Sequence, residues 1–426
     1  MEGTTQLILS AVIFVGAYAL IIWDKLDRTI VALTGAALMV VLRIVNQEKA
    51  FEYIDFNTIV LLISMMMIVM VIKRTGLFEY LAIKTVKMAK GEPIIILILL
   101  ALITGVVSAF LDNVTTILLI LPITLSVAKD LKVNPVPFII TSVFASNVGG
   151  TATLIGDPPN IMIGSAVGLT FMDFLSNLGL LIFPLLFVTT MIFALIFRKQ
   201  LITTNDCKAK VLEIDERKSI KDVKLLRKGL VVLALTILGF MMHGVLHYES
   251  ATIALIGAVV LLFLSGGHIE GVLREVEWKT IFFFCGLFVM VGGIQETGII
   301  KLIAEGVLGL THGDMVLTTL AILWVSAIAS AFVDNIPFVA TMIPMIKDMG
   351  ALSGMTLGPL WWALALGACL GGNGTIIGAS ANVVATGMAE EAGHKITFGQ
   401  YFKLAFPIMI LTIAFSSVYI YFKYLV

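Results

Sequence analysis

The sequence predicts an all-α polytopic membrane protein of two inverted-topology repeats, with about ten transmembrane helices, two re-entrant helical hairpins and unwound helices. Three observations predict it: an apolar composition, polar and glycine positions repeated at one fixed separation, and opposite charge bias in equivalent loops. Of the 426 residues, 59% are hydrophobic and 13% charged, and the mean hydropathy is +1.06. Soluble domains carry about 25% charge and 45–50% apolar residues, so this chain needs lipid as part of its solvent. Its length allows about ten spans of about 20 residues each. Lys and Arg (28) balance Asp and Glu (28), which argues against a nucleic-acid partner.

Apolar stretches long enough to cross run near 6–23, 28–46, 56–73, 137–166 and 177–197, then near 229–246, 250–268, 278–294, 360–386 and 402–424. Residues 6–23 follow no basic n-region and precede no small-residue cleavage site, so they read as a retained span. Two further apolar regions, 93–128 and 315–349, each hold an Asp-Asn pair in the middle. A carboxylate at mid-membrane on a lipid-facing helix is costly. The two regions therefore read as hairpins packed inside protein with the polar pair at the tip. This gives a first repeat over 1–197 (hairpin 93–128, broken helix 137–166), a linker at 198–228, and a second repeat over 229–426 (hairpin 315–349, broken helix 360–386).

The repeat is carried by residues that hydrophobicity alone does not explain. Asp112-Asn113 recurs as Asp334-Asn335, a separation of 334 − 112 = 222. The same offset maps Gly35 on Gly257, Thr58 on Thr280 and Thr75-Gly76 on Thr297-Gly298. It continues with Pro122 on Pro344, Pro137 on Pro359, Gly149-Gly150 on Gly371-Gly372, Thr153 on Thr375, Gly156 on Gly378 and Asn160 on Asn382. No gap is needed between residues 35 and 160.

Charge then orients the halves. The loop 73–92 holds Lys73, Arg74, Lys84, Lys87 and Lys90, whereas its counterpart 295–314 holds Lys301 beside Glu296, Glu305 and Asp314. Equivalent loops of opposite bias face opposite sides under the positive-inside rule. The Lys/Arg-rich linker 198–228 joins the first loop in the cytoplasm. Five spans per half, an odd number, then place both termini outside. Inverted repeats of this kind build secondary transporters with the site at the repeat interface.

Two constellations carry chemistry. The first is Asp112-Asn113 followed by Thr115 and Thr116, matched by Asp334-Asn335. Asp and Asn are strong helix N-caps, and a carboxylate used twice at this depth also suits proton or cation handling. The second is Asn147-Val148-Gly149-Gly150-Thr151-Ala152-Thr153 with Gly156-Asp157-Pro158-Pro159-Asn160, matched by Cys369-Leu370-Gly371-Gly372-Asn373-Gly374-Thr375 with Gly378-Ala379-Ser380-Ala381-Asn382. Glycine-rich runs weaken a helix and turn backbone groups toward a solute, and they also serve close helix packing. The expected substrate-binding residues are Asn113, Thr115, Thr116, Gly149, Gly150, Thr151, Thr153, Asn335, Gly372, Asn373 and Thr375. Asp112, Asp334 and Asp157 are the proton or cation coupling set, with an Asp-Pro turn as the plainer role for Asp157. Gly156, Pro158, Asn160, Gly378, Ser380 and Asn382 form the helix breaks.

No metal site is expected. Cys207, Cys285 and Cys369 lie far apart without CxxC spacing. Cys369 fits a packing role better than a thiol ligand. His243 and His247, four apart at a span end, read as interfacial. No phosphate-loop spacing is present, and no His or Ser-Lys dyad at depth points to an enzyme. The absence of Arg or Lys near the motifs weighs against a polyanionic solute.

The blocks SAFLDNVTTILLILP with NVGGTATLIGDPPN, and SAFVDNIPFVATMIP with GGNGTIIGASAN, resemble the ion transporter superfamily. Within it they are most similar to the arsenite/antimonite permeases (ArsB), the NhaD-type sodium/proton antiporters and the mammalian P protein. The resemblance implies a scaffold domain that forms a homodimer and a transport domain of hairpins and unwound helices, moving as an elevator or by rocking. It implies a multi-pass protein of the cell (inner) membrane that needs no cofactor beyond protons or sodium as coupling ion. The expected activity is arsenite or antimonite efflux by exchange with protons, the partners being a small inorganic solute and membrane lipid. NhaD-type sodium/proton antiport and dicarboxylate or anion transport are the alternatives. No Walker motif lies in the chain, so any ATP drive would come from a separate soluble ATPase subunit.

Overall fold

The structure is a computed structural model that describes residues 2–426 except Asp24, Ile214, His247, Gly267 and His268. His247, paired above with His243, thus lies outside the described residues. Helices dominate, and they fall into two matched series. The first comprises α1 (Glu2–Trp23), α2 (Arg28–Val41), α3 (Phe56–Lys73), α4 (Leu77–Met88), α5 (Pro93–Ser108), α6 (Asn113–Asp130), α7 (Val136–Gly150), α8 (Pro158–Val167) and α9 (Phe171–Phe197). The second comprises α10 (Val223–Leu246), α11 (Ser250–Leu264), α12 (Trp278–Glu296), α13 (Ile299–Thr311), α14 (Met315–Phe332), α15 (Asn335–Ser353), α16 (Gly358–Gly371), α17 (Ser380–Glu391) and α18 (Phe398–Ile420). Each of α10–α17 starts within a residue of its first-half counterpart plus 222.

Local chemistry places the ends. Asp112 caps α6 by accepting from the Thr115 N–H at 2.9 Å, and Asp334 caps α15 through Ile336 at 3.1 Å. Pro93, Pro137, Pro158 and Pro359 occupy first-turn positions, where the missing N–H costs nothing. Gly76 and Gly298, both near φ +80°, supply the left-handed turn before α4 and α13.

Among the described residues, eight helices are long and apolar enough to cross a membrane, and four apolar ones are shorter. The ten spans expected from hydropathy are built from this set in three ways. Six are continuous: α1, α3, α9, α10, α12 and α18. α2 and α11 are 14 and 15 residues, short of the about 20 needed for a full crossing. The remaining two are broken pairs, α7 with α8 and α16 with α17. The other two long helices, α6 and α14, are hairpin arms. Large apolar side chains such as Val15, Leu195, Leu235 and Phe263 lie on the outside, whereas Asn147, Asp157, Asn160, Asn373 and Asn382 are wholly buried. That distribution, apolar out and polar in, suits lipid.

The halves interlock. α3 packs on α11 and α10, and reciprocally α12 packs on α2 and α1. α6 packs on α17, and α15 on α8. These contacts from one half to the other are each returned by the equivalent helices, the signature of a twofold relation. Within each half α5 packs closely on α7, and α14 on α16. A Cβ at Gly149 would come within 1.9 Å of the Gly105 carbonyl, and one at Gly371 within 2.5 Å of Ala327. Between membrane helices such small residues permit the backbone approach that hydrophobicity cannot drive.

The segment after α9 docks on the first half. Glu216 bonds the Lys87 ammonium on α4, Lys208 bonds Glu92 at 2.5 Å, and the Lys221 N–H donates to Thr75 at 2.9 Å. Lys87 holds the exposed Glu216 carboxyl below the usual glutamate range.

Candidate functional site

The two hairpin tips and the two helix breaks meet at the centre. After α7 the chain leaves helical geometry for residues 151–157. The break is held by its own polar groups: the Thr153 hydroxyl donates to Ala109 O, and Asn160 Nδ2 donates to the carbonyls of Thr151 (3.2 Å) and Thr153 (2.9 Å). The second break repeats this, with Thr375 donating to Ala331 O and Asn382 Nδ2 to Gly372 and Thr375, both at 2.8 Å. Gly150 and Gly156 cross so closely that a Cβ at either would meet the other's carbonyl at about 2.5 Å, and Gly372 and Gly378 do likewise at 2.6–2.9 Å. Thr153, Thr375, Asn160, Asn382 and these glycines therefore shape the breaks. Thr151 likewise turns inward, its hydroxyl donating to Asn147 O at 2.8 Å.

Between the breaks lies a network of amides and one carboxylate. Asn147 on α7 is its hub: Nδ2 donates to Asn373 Oδ1 at 3.0 Å and to Asn382 Oδ1 at 2.8 Å, while Oδ1 accepts from Asn113 at 3.0 Å. Asp157 receives Asn113 Nδ2 at 3.4 Å and Asn335 Nδ2 at 3.3 and 3.4 Å. Both hairpin tips thus reach one carboxylate. Asp157 makes no cap bond to α8, so it does more than end a helix. Cys369 is buried with its thiol 3.5 Å from Asn160 Oδ1. Among the described residues, Asn373 Nδ2 and the Thr116 hydroxyl are buried without a protein partner. A buried unpaired donor is costly.

The N-termini of α6, α8, α15 and α17 all point into this centre. Each carries about half a positive charge. Asp112, Asp157 and Asp334 stand at three of them, whereas the fourth, at α17, has Ala379 in the cap position. Here the sequence reading needs correction. The expectation that no Arg or Lys lies near the motifs fails, because Arg28 heads α2 and its Nη1 reaches Asp334 Oδ2 at 2.8 Å and Ser380 Oγ at 2.7 Å. Ser380 in turn donates to Asp334 Oδ2 at 2.8 Å. Asp112 has no such cation; its carboxylate accepts from the Thr115 amide and hydroxyl. Arg28 was legible in one way only: extending the repeat back to Asp27/Glu249 exposes Arg28 against Ser250. Asn147, quoted above as part of a motif, was not singled out as a binding residue.

Of three cavities near the breaks, one reaches Asp334 and the other two flank α8. One of about 290 Å³ is lined by Lys25, Asp27, Arg28, Asp334 and Ser380. Its equivalent in the other half, about 320 Å³, is lined by His243, Tyr248, Glu249 and Ser250, with His243 Nδ1 3.2 Å from Ser250 Oγ. The third, about 580 Å³, lies between α3, α12, α8 and α15 and holds Asp55, Asn57, Gln295 and Lys347. The packing around it is unequal. α3 packs on α8 and α12 on α15, while the equivalent pairs, α12 with α17 and α3 with α6, lack comparable packing among the described residues.

Known proteins share this architecture. The YdaH transporter of Alcanivorax borkumensis has a similar fold, with a TM-score of 0.60 at 15% identity, over 96% of this chain and 99% of that one. An uncharacterised transporter of Mycobacterium tuberculosis is 44% identical over 98% of this chain and 99% of its own. The human P protein is 33% identical over 98% of this chain, which spans 60% of that longer protein. The family and the mycobacterial relative are transporters rather than enzymes, and the apolar helices make the chain an integral multi-pass membrane protein. With the citrate transporter (CitMHS) profile matching residues 18–367, the chain belongs to that family of membrane transporters.

Proposed function

We propose that the chain is a proton-coupled secondary transporter of small carboxylate anions of the citrate and dicarboxylate class. The observation that carries this is the charge balance at the centre: four helix N-termini and the Arg28 guanidinium stand against Asp112, Asp157 and Asp334, with the buried Glu277 close to both Asp112 and Arg28. Each terminus contributes about +0.5, so the site is close to neutral when three of the four carboxylates are ionised. An entering anion then requires a proton on one of them, which is coupling. The unequal packing of α8 and α15 against α3 and α12 supports alternating access: exchanging it for the equivalent contacts would open the opposite cavity. The family's citrate description supports the solute class.

A second reading, arsenite or antimonite efflux by proton exchange, is favoured by the uncharged amides of Asn113, Asn147, Asn335 and Asn373, which suit a neutral trihydroxide. The assignments to the cell (inner) membrane, to a homodimer through the α1–α3 and α10–α12 layer, and to repeats divided at 198–228 go with either reading. Liposomes carrying the purified protein and an imposed pH gradient test both. Gradient-dependent citrate or dicarboxylate flux is expected. Arsenite flux without carboxylate flux selects the second reading, and sodium-dependent proton movement with neither solute identifies a sodium/proton antiporter instead.

A further inference from the structure

We propose that the Arg28 guanidinium is the docking group for a substrate carboxylate, and that the Asp334 carboxylate holds its place in the empty carrier. This rests on the carboxylate reading above and gives it a site and a sequence of events.

Arg28 sits where the chain enters α2. Asp27 beside it is otherwise engaged: although desolvation pushes its carboxyl up, the Thr29 N–H and the Lys279 ammonium hold it below the usual aspartate range. That leaves Arg28 to the site. It is 30% exposed and Asp334 5%. Phe283 lies under the guanidinium, 5.2 Å from ring centroid to Cζ, and fixes its plane. Nη1 makes both protein contacts, to Asp334 Oδ2 and Ser380 Oγ. No other guanidinium nitrogen has a hydrogen-bond partner among the described residues. The free donors face a cavity of about 290 Å³ with Val333 and Ile377 as apolar walls and Lys25 at its rim. A guanidinium fork binds a carboxylate through two parallel bonds. Here only one prong is in use.

The internal carboxylate is a stand-in. An arriving solute carboxylate accepts from Arg28 and from Ser380 Oγ, and the Arg28–Asp334 bond breaks. Asp334, buried and now without its cation, takes one proton from the water of the cavity. One negative charge and one proton enter together, so the charge balance of the centre is kept. The charged and titratable groups around Asp334 are few. Arg28 and Lys25 come from the α1–α2 turn, Glu277 from the start of α12 beside Arg28, Asp157 from the break before α8, and Tyr18 from α1, which bonds Pro337 O and Thr341 on α15. Asp27 is neutralised by Lys279. Docking is confined to one face, because the equivalent cavity presents Ser250 in place of Arg28 and, among the described residues, has no Lys or Arg in its lining.

Calorimetry of citrate and succinate binding to the purified full-length protein, in buffers of different ionisation enthalpy at about pH 8 where the solute carboxylates are ionised, tests the exchange. The wild type is expected to take up a proton with each anion. Arg28→Ala weakens binding about 30-fold or more, and Arg28→Lys, which lacks the fork, recovers only part. Asp334→Asn removes the competitor, so it binds at least as tightly as the wild type and without proton uptake. Ser380→Ala, which leaves the ion pair in place, weakens binding a few-fold and stands in should Arg28→Ala not assemble. Unchanged affinity in Arg28→Ala, or weaker binding in Asp334→Asn, overturns the docking role while leaving carboxylate transport intact. A wild type that neither binds nor moves a carboxylate overturns the transport reading itself.

Discussion

The two hairpin tips share a backbone and differ in charge. Asp112 and Asp334 both cap their helices, α6 through the Thr115 N–H and α15 through that of Ile336, and each tip sends an amide to Asp157. Around them the halves diverge: Arg28 answers Ser250, Asp157 answers Ala379, Pro158 answers Ser380, and Asn147 answers Cys369. The glycines that bend the chain and the capping Asp112 and Asp334 recur in both halves, whereas Arg28 and Asp157 occur once. A twofold frame with one central site has room for a single central carboxylate, and this one holds a single guanidinium beside it. The difference teaches that the repeat builds the frame and its exceptions set the charge at its centre.

The largest effect is expected at Asp157. Asp157→Ala makes the first half match Ala379 of the second, leaves the Asn113 and Asn335 amides without their shared acceptor at about 1–3 kcal/mol each, and abolishes coupled flux. Asp157→Asn keeps an acceptor and much of the thermal stability but loses proton coupling. Melting in detergent alongside vesicle flux separates the two, and normal coupled flux in either variant would break the comparison at its centre.

Next come the helix contacts. Gly149→Ala drives a methyl to 1.9 Å from a carbonyl and Gly371→Ala to 2.5 Å. Both should destabilise by about 1–3 kcal/mol or more, with Gly149→Ala the worse. Equal melting temperatures would show that the halves relax differently from the way they pack.

The tips themselves come third. Asn caps a helix about as well as Asp, so Asp112→Asn should stay within about 0.5 kcal/mol of the wild type. Asp334→Asn also breaks the Arg28 pair, and should cost about 1 kcal/mol more once solvent screening of the partly exposed guanidinium is allowed for. Thermal denaturation of the two variants side by side reads the difference directly.

The smallest effect lies outside the membrane. Glu216 pairs with Lys87 on α4, where α13 has Gly309. Its carboxyl lies below the ordinary value of 4.5 in the folded protein. A depressed acid contributes stability above its unfolded value and loses it as pH falls through the folded one. Amide exchange across 205–219 should therefore quicken relative to the rest of the chain as the pH drops below 4.5, and Lys87→Met should flatten that dependence.

Much of this was legible residue by residue. Asp112, Asp334 and the Gly149-Gly150 and Gly371-Gly372 runs stand out because polar and glycine residues are costly in an apolar span unless structure requires them. Their constant spacing revealed the repeat and hence the matched helices. The division of labour among them was not legible. Thr153 and Thr375 look like solute ligands in sequence, yet their hydroxyls close on Ala109 and Ala331. Asn147 looks like one polar residue in an apolar helix, yet it ties Asn113 of its own half to Asn373 and Asn382 of the other.

Composition and spacing by themselves determined that this chain lives in lipid, that it is a doubled unit, and where each helix breaks, because these depend on local periodicity and on residues whose backbone preferences are intrinsic. Only the tertiary structure decided that Arg28 faces Asp334 across 306 positions of sequence and that Asp157 serves both tips. Such pairings come from helices folded against one another, and no local property of either partner encodes them.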